Sequence, residues 1–143
     1  MYRVGIDIGG TKVNMGIIDN NGRIIASQKA YIKDIKDLKN FIKQSLIGMC
    51  ETASVSYSEI AHCGIGIPGT VSSDGKRILK SPNISILNEN FPGELEALLD
   101  IPTAAVQDSR AAAWGEYVYG GGRGFKNVVC ITLGTGIGCG IVA

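Results

Sequence analysis

The sequence predicts an α/β domain with a mixed sheet, opened by a three-strand antiparallel meander and completed by strands that alternate with flanking helices. Three observations lead there. Tyr2 to Ile8, Lys12 to Ile18 and Arg23 to Tyr31 are β-branched runs separated by a Gly pair and by the turn Asp19-Asn20-Asn21-Gly22. From Lys36 to Ala53, the residues Leu38, Phe41, Ile42, Leu46, Met49 and Ala53 recur at helical spacing, which predicts an amphipathic helix laid on that meander. The rest, to Val118, reads strand, helix, strand, helix.

In that second half, His62 to Ile67 is a buried strand ending in Pro68-Gly69, and Thr70 to Leu79 folds about Ser73-Asp74-Gly75 as a hairpin expected to stand off the sheet. A short helix follows near Gly93 to Leu99, with Pro92 tolerated in its first turn, where an amide would be unbonded anyway. Thr103 to Val106 is a further strand, and Ser109 to Val118 a helix that begins just after Asp108. Gly120-Gly121-Gly122-Arg123-Gly124 is expected to pack little and bend easily. Beyond it, Asn127 to Leu133 and Gly140 to Ala143 are strand-like runs flanking the loop Gly134-Thr135-Gly136-Ile137-Gly138. The domain expectation is therefore a lobe over 1–119, a hinge over 120–126, and over 127–143 the first hairpin of a second, truncated lobe.

Composition narrows the function classes. With 143 residues, 45% hydrophobic and 19% charged, the chain can bury one core. A net charge of +1 with no Lys/Arg block gives no footprint for nucleic acid or a membrane surface. No run approaches the ~18 apolar residues of a membrane helix, and Met1 leads straight into a strand without a signal-peptide pattern. Cys50, Cys63, Cys130 and Cys139 form no C-x-x-C pair, so they read as buried thiols of a reduced, cytoplasmic compartment.

Asp7-Ile8-Gly9-Gly10-Thr11-Lys12 is a tight turn between two strands. Glycines let backbone N–H groups approach a phosphate, the Thr11 hydroxyl can donate to it, Lys12 can offset its charge, and Asp7 at the strand end is placed to hold Mg²⁺. An ordinary glycine-rich hairpin is the competing reading. Gly134-Thr135-Gly136-Ile137-Gly138 repeats the design, and two such loops on either side of a hinge suggest two lobes closing on one nucleotide. Gly64-Ile65-Gly66-Ile67-Pro68-Gly69 matches G-x-G-x-x-G, but a strand follows it where a dinucleotide site needs a helix, so that reading is rejected.

Asp108, between an apolar strand and a helix start, is the candidate base that takes a proton from a hydroxyl attacking a γ-phosphoryl group. A helix cap is the alternative, and both stand. His62, the single histidine, has no partner at ligand spacing and reads as structural. Trp114, Tyr117 and Tyr119 read as core or interface, and Lys33, Lys36, Lys39 and Lys43 as the solvated face of their helix.

Asp7 to Lys12, Gly64 to Gly69, Val106 to Glu116 (VQDSRAAAWGE) and Leu133 to Gly138, taken in order, resemble the ROK family of repressors, open reading frames and kinases. The resemblance spans essentially the whole chain. It implies a ribonuclease-H-like, actin-like ATPase lobe whose two Gly/Thr hairpins face ATP. It implies that Asp108 matches the family's catalytic base, and that Gly69, Thr70, Asn83, Gln107 and Asp108 fall where members touch a hexose. The Ala-Ala-Ala-Trp-Gly-Glu run is most similar to bacterial glucokinases. Gln107 departs from the usual Asn, which leaves the hexose open among glucose, N-acetylmannosamine, fructose and a β-glucoside.

The implied cofactors are ATP and Mg²⁺. Structural zinc, further sugar ligands and the adenosine segment are expected beyond Ala143, in a full-length homodimer without nucleic-acid or membrane partners. The implied activity is glucokinase-like transfer to a 6-hydroxyl, with the present chain inactive alone. Alternatives from other classes are a sugar-sensing ROK repressor, disfavoured because only six residues precede Asp7, and a non-catalytic actin-like ATPase lobe.

Overall fold

The structure, a computed structural model, describes residues 1–82, 84–85, 87–134 and 136–143. Strands β1 (Tyr2–Ile8), β2 (Lys12–Ile18) and β3 (Ile24–Tyr31) form the expected antiparallel meander. β4 (Ile60–Ile67) then joins β1 in parallel and β7 (Thr103–Gln107) joins β4 in parallel, giving the sheet order β3-β2-β1-β4-β7. The two crossovers carry helices α1 (Leu38–Ala53) and α2 (Phe91–Leu99). The turn from β2 to β3 is set by Asp19, whose Oδ1 accepts from the amides of Asn21 and Arg23, and by Gly22 at φ 79°.

Strand alternation sorts the two faces. Val4, Ile6, Ile8, Val13, Met15, Ile17, Cys63, Ile65 and Ile67 point one way and are buried with Leu38, Ile42 and Leu46 of α1 and Leu95 and Leu99 of α2. At ~1.5–3 kcal/mol for each large aliphatic side chain fully buried, this single layer dominates the folding free energy. The opposite face carries Gly5, Asp7, Asn14, Gly64 and Gly66. Helix α3 (Asp108–Tyr119) starts over that second face, and β8 (Val128–Leu133) and β9 (Ile137–Val142) pair antiparallel and pack on α3.

Several sequence expectations change. Helix α1 begins at Leu38 because Asp37 caps it, accepting from the Asn40 amide at 3.1 Å, so Lys33 and Lys36 lie ahead of the helix. Lys39 is ion-paired to Glu94 of α2 rather than simply solvated. The hairpin of β5 (Thr70–Val71) and β6 (Ile78–Lys80) does not stand off the sheet. Its Gly75 carbonyl accepts from the Ala105 amide at 2.8 Å, and Lys76 Nζ reaches the Thr103 carbonyl at 2.9 Å, so the turn docks on the free edge of β7.

Of the four thiols, Cys50 and Cys63 are buried, but Cys130 is half-buried and Cys139 exposed. They lie on a hairpin covered on one face only. Trp114 is 59% exposed and so is not core. Gly120 to Gly124 is less loose than expected. Gly120 and Gly122 both donate to the Glu116 carbonyl, Gly121 donates to Glu116 Oε2, and Gly122 is buried, so this segment winds onto the end of α3. Among the described residues no helix is long and apolar enough to cross a membrane.

Candidate functional site

The parallel strands bring the chemistry-bearing residues to one end of the sheet. Asp7 stands opposite Gly66 on β4, Gly66 opposite Val106, and Ile67 opposite Gln107 on β7. Gly66 has no side chain to fill the interval. A methyl group built there would lie 3.8 Å from Asp7 Oδ1, from the Asp108 Cα and from the Ile6 carbonyl. Two carboxylate-bearing residues therefore border one small gap over the sheet. Asn14, opposite Asp7 on β2, donates from Nδ2 to Asp7 Oδ2 at 3.1 Å, which orients the carboxylate and leaves Oδ1 toward the gap.

Asp108 is the first residue of α3, one position after the cap residue Gln107, whose side chain makes no cap bond. Asp108 Oδ1 accepts from the Ser109 amide at 2.6 Å. The helix-cap reading thus holds in part: the carboxylate sits at the positive end of the helix and binds one first-turn amide. Its Oδ2 has no partner among the described residues and stays available, so this bond does not compete with a role as base.

Both Gly hairpins lie at this end. In the first, the Gly9 amide donates to the Lys12 carbonyl at 2.9 Å, and Gly10 and Thr11 are exposed at the tip. Lys12 departs from the simple expectation, because its ammonium rests over the Tyr31 ring, 5.2 Å from the centroid. The second turn is shorter than expected, with Ile137 and Gly138 already in β9 and the Gly134 amide donating to the Gly136 carbonyl at 3.0 Å. It is seated on the first turn of α3. A methyl at Gly138 would meet Thr132 Oγ1 and lie 3.0 Å from Ser109 Cβ, and one at Gly140 would meet the Ser109 carbonyl and lie 2.6 Å from Ala113 Cβ. Only glycine allows β9 to approach the helix so closely. Thr135 and Asn83, both singled out by the sequence, lie outside the described residues.

Residues 3–143 match the ROK family model. The chain belongs to the ROK family. A glucokinase of Streptomyces coelicolor is 39% identical over 139 residues, which cover 97% of this chain and 43% of that protein. An N-acetylmannosamine kinase of Salmonella typhimurium is 31% identical over 144 residues, covering 99% and 47%. Among solved structures, a ROK family glucokinase from Streptomyces griseus in complex with glucose and AMPPNP superposes with a TM-score of 0.81 at 35% identity, over 99% of this chain and 44% of that one. The chain thus spans less than half the length of these ROK relatives. Its sheet order and flanking helices are those of the actin-like ATPase lobe expected for the family.

In this ROK lobe the remaining predicted residues lie at or just after the ends of β4 and β7. Gly69 follows β4 at φ 130°, a conformation other residues avoid, and a methyl there would collide with the Lys80 carbonyl. Ser81 Oγ donates to the Pro68 carbonyl at 3.2 Å and ties the segment after β6 to the end of β4. Thr70 is exposed opposite Lys80, and Gln107 is half-buried next to Asp108.

Sequence reasoning missed Asn14 and Ser109. Asn14 was signalled by a polar residue on the alternate face of an otherwise apolar strand. Ser109 Oγ is buried between α3 and β9 without a hydrogen-bond partner among the described residues, and nothing in the sequence announced that.

Among the described residues no three His, Cys, Asp or Glu side chains cluster as a metal cage. Asp7 Oδ1, left toward the gap by the bond from Asn14 to Oδ2, is the carboxylate oxygen that could hold Mg²⁺, which needs few protein oxygens. A concavity of about 570 Å³ lies elsewhere, between the C-terminal ends of α1 and α2, and includes none of these residues.

Proposed function

We propose that this chain is the catalytic-base and phosphate-binding lobe of an ATP-dependent hexose kinase, glucose being the first acceptor to test. The observation that carries the reading is the gap at Gly66, where Asp7 Oδ1 and the Cα of Asp108 both lie 3.8 Å from a built methyl. The kinases among the relatives, and the AMPPNP and glucose bound in the Streptomyces griseus protein, support it.

In this reading Gly69, Thr70, Asn83 and Gln107 orient the sugar, so that one hydroxyl, the 6-hydroxyl by family resemblance, points at Asp108. As its oxygen attacks the γ-phosphorus, its proton passes to the Asp108 carboxylate. The bond from phosphorus to the bridging oxygen breaks, and that oxygen leaves with the electron pair on ADP. Gly9, Gly10 and Thr11 on one side and Gly134, Thr135 and Gly136 on the other hold the phosphates, and Asp7, oriented by Asn14, holds the Mg²⁺ that offsets their charge. Residues 120–126 act as the hinge between the lobes, and 127–143 open the second lobe. Positioned charges act in phosphoryl transfer only when both walls of the cleft are present. The 143-residue chain alone is therefore expected to be inactive, and detectable hexose phosphorylation by it would refute that.

The test is turnover of a protein of the relatives' full length with ATP, Mg²⁺ and a panel of glucose, N-acetylmannosamine, fructose and a β-glucoside. Asp108→Asn is expected to lower kcat by roughly 10²–10⁴-fold. Turnover like that of the parent enzyme would sink the role of the base.

A further inference from the structure

Tyr31, at the end of β3, gathers two ammonium groups on one ring. Lys12 Nζ lies 5.2 Å and Lys33 Nζ 5.9 Å from its centroid. A merely solvated lysine face would let these charges spread apart, since like charges repel and long side chains are free to separate. The ring quadrupole holds them instead.

A third cation joins them. Lys29 stands opposite Asn14 and two residues before Tyr31, so strand alternation puts it on the same face as Lys12, Asn14 and Asp7, the face bordered by the candidate site. Among the described residues none of Lys12, Lys29 and Lys33 has a carboxylate within ion-pair distance, and those ion pairs that form use Lys39, Lys76 and Arg77. Of the nearby acids, Asp7 accepts from Asn14, and neither Asp7 nor Asp34 forms an ion pair among the described residues. The turn carrying Lys33 is fixed to the first Gly hairpin, because the Ile32 amide donates to the Thr11 carbonyl at 2.9 Å. Lys29, Lys33 and Tyr31 are all exposed.

We propose that Lys12 and Lys33, gathered about Tyr31, and Lys29 on the same face of the sheet form a docking rim for a phosphoanhydride chain running outward from the Gly9–Thr11 hairpin. The inference rests on the reading of that hairpin as phosphate-facing, and adds residues on β3 and the turn after it. A linear anion with a charge on each phosphate matches a row of separated ammonium groups better than a compact carboxylate does. Such a chain is supplied by a nucleoside triphosphate or by inorganic polyphosphate. Lys29 and Lys33 take no part in the proton or phosphoryl transfer and only position the donor.

The experiment is calorimetric titration of the 143-residue chain with inorganic tripolyphosphate, and separately with AMPPNP, at low and high salt. In Lys29→Ala/Lys33→Ala the Kd for tripolyphosphate should rise about tenfold, each exposed charge contributing a few-fold, and the difference should shrink in ~1 M salt. Lys29→Arg/Lys33→Arg should retain binding. An equal rise with AMPPNP would assign the rim to nucleotide phosphates as well, and a rise with tripolyphosphate alone to the inorganic chain. Weakening confined to AMPPNP would assign the rim to nucleotide phosphates; no measurable binding of either ligand by the parent chain, or a Kd unchanged for both in the double alanine variant, would overturn the proposal. Thermal unfolding of each variant checks that it is folded, which exposed positions make the expected result. Tripolyphosphate binding that persists while a full-length protein phosphorylates no hexose would strike the kinase reading and leave the rim standing.

Discussion

A methyl group at position 66 would enter the gap between Asp7 and Asp108 while touching nothing closer than 3.8 Å, an ordinary van der Waals separation. Gly66→Ala should therefore cost no packing energy. It should gain up to ~1 kcal/mol, because alanine gives up less chain freedom in a strand than glycine. At roughly 3 °C per kcal/mol for a chain of this size, the melting temperature should stay constant or rise by about that much.

The chemistry should respond in the opposite direction. Under the proposed function, with a metal at Asp7 and a hydroxyl at Asp108, the methyl enters the space between them, and displacements of ~1 Å in such arrangements cost about 10²-fold in rate. Melting of the 143-residue chain and hexose turnover by a full-length protein read the two effects separately. A fall of more than ~5 °C would refute the geometry around Gly66, and turnover within about threefold of the parent would refute the shared-gap site.

Gly69→Ala, by contrast, must strain a residue at φ 130° against the Lys80 carbonyl, and should destabilise by about 2–3 kcal/mol in denaturant unfolding. Glu96 is held below its usual range by Lys76 and then by the Thr103 amide, and Glu94 by Lys39 and then Asn88. Folded-state pKa values below the unfolded value of 4.5 mean that this stabilisation is complete above pH 4.5 and fades as the pH falls through the lower folded values. Thermal melts between pH 6 and 2.5 should show that decline, and Glu96→Gln should flatten it. Among the thiols, exposed Cys139 should react with a disulfide reagent within minutes. Cys63, 2% exposed and pushed by burial up to about 12, should react only on unfolding; comparable rates for the two would contradict the burial of β4.

The meander, α1 and the alternation of the second half were legible because each is written in local periodicity: Val13, Met15 and Ile17 mark one strand face, and Leu38, Ile42 and Leu46 one helix face. Asp7 and Asp108 were each legible as the last residue before a break in that pattern. Their convergence was not, since it depends on the register of β1, β4 and β7 and on the missing side chain of Gly66. The docking of Gly75 on β7 was hidden for a related reason. It uses backbone groups separated by some thirty residues, which no side-chain pattern encodes. The seat of β9 on Ser109 is likewise a matter of the space left by Gly138 and Gly140.

The docked turn on β7 also bears on aggregation. Along the outer edge of that strand the Thr103 amide is taken by Glu96, the Ala105 amide by the Gly75 carbonyl, and the Thr103 carbonyl by Lys76. A foreign strand meets no continuous free ladder over Thr103 to Ala105, so that stretch of the parallel side is protected against templated growth. The opposite border, β3, has no such cover among the described residues but carries Lys29, the kind of residue that discourages edge-to-edge addition. During folding, however, the seal on β7 closes only after residues 72–77 and 96 have found their places. A destabilised turn at Ser72 to Arg77 would thus show itself first as concentration-dependent loss of soluble chain rather than as a lower melting point.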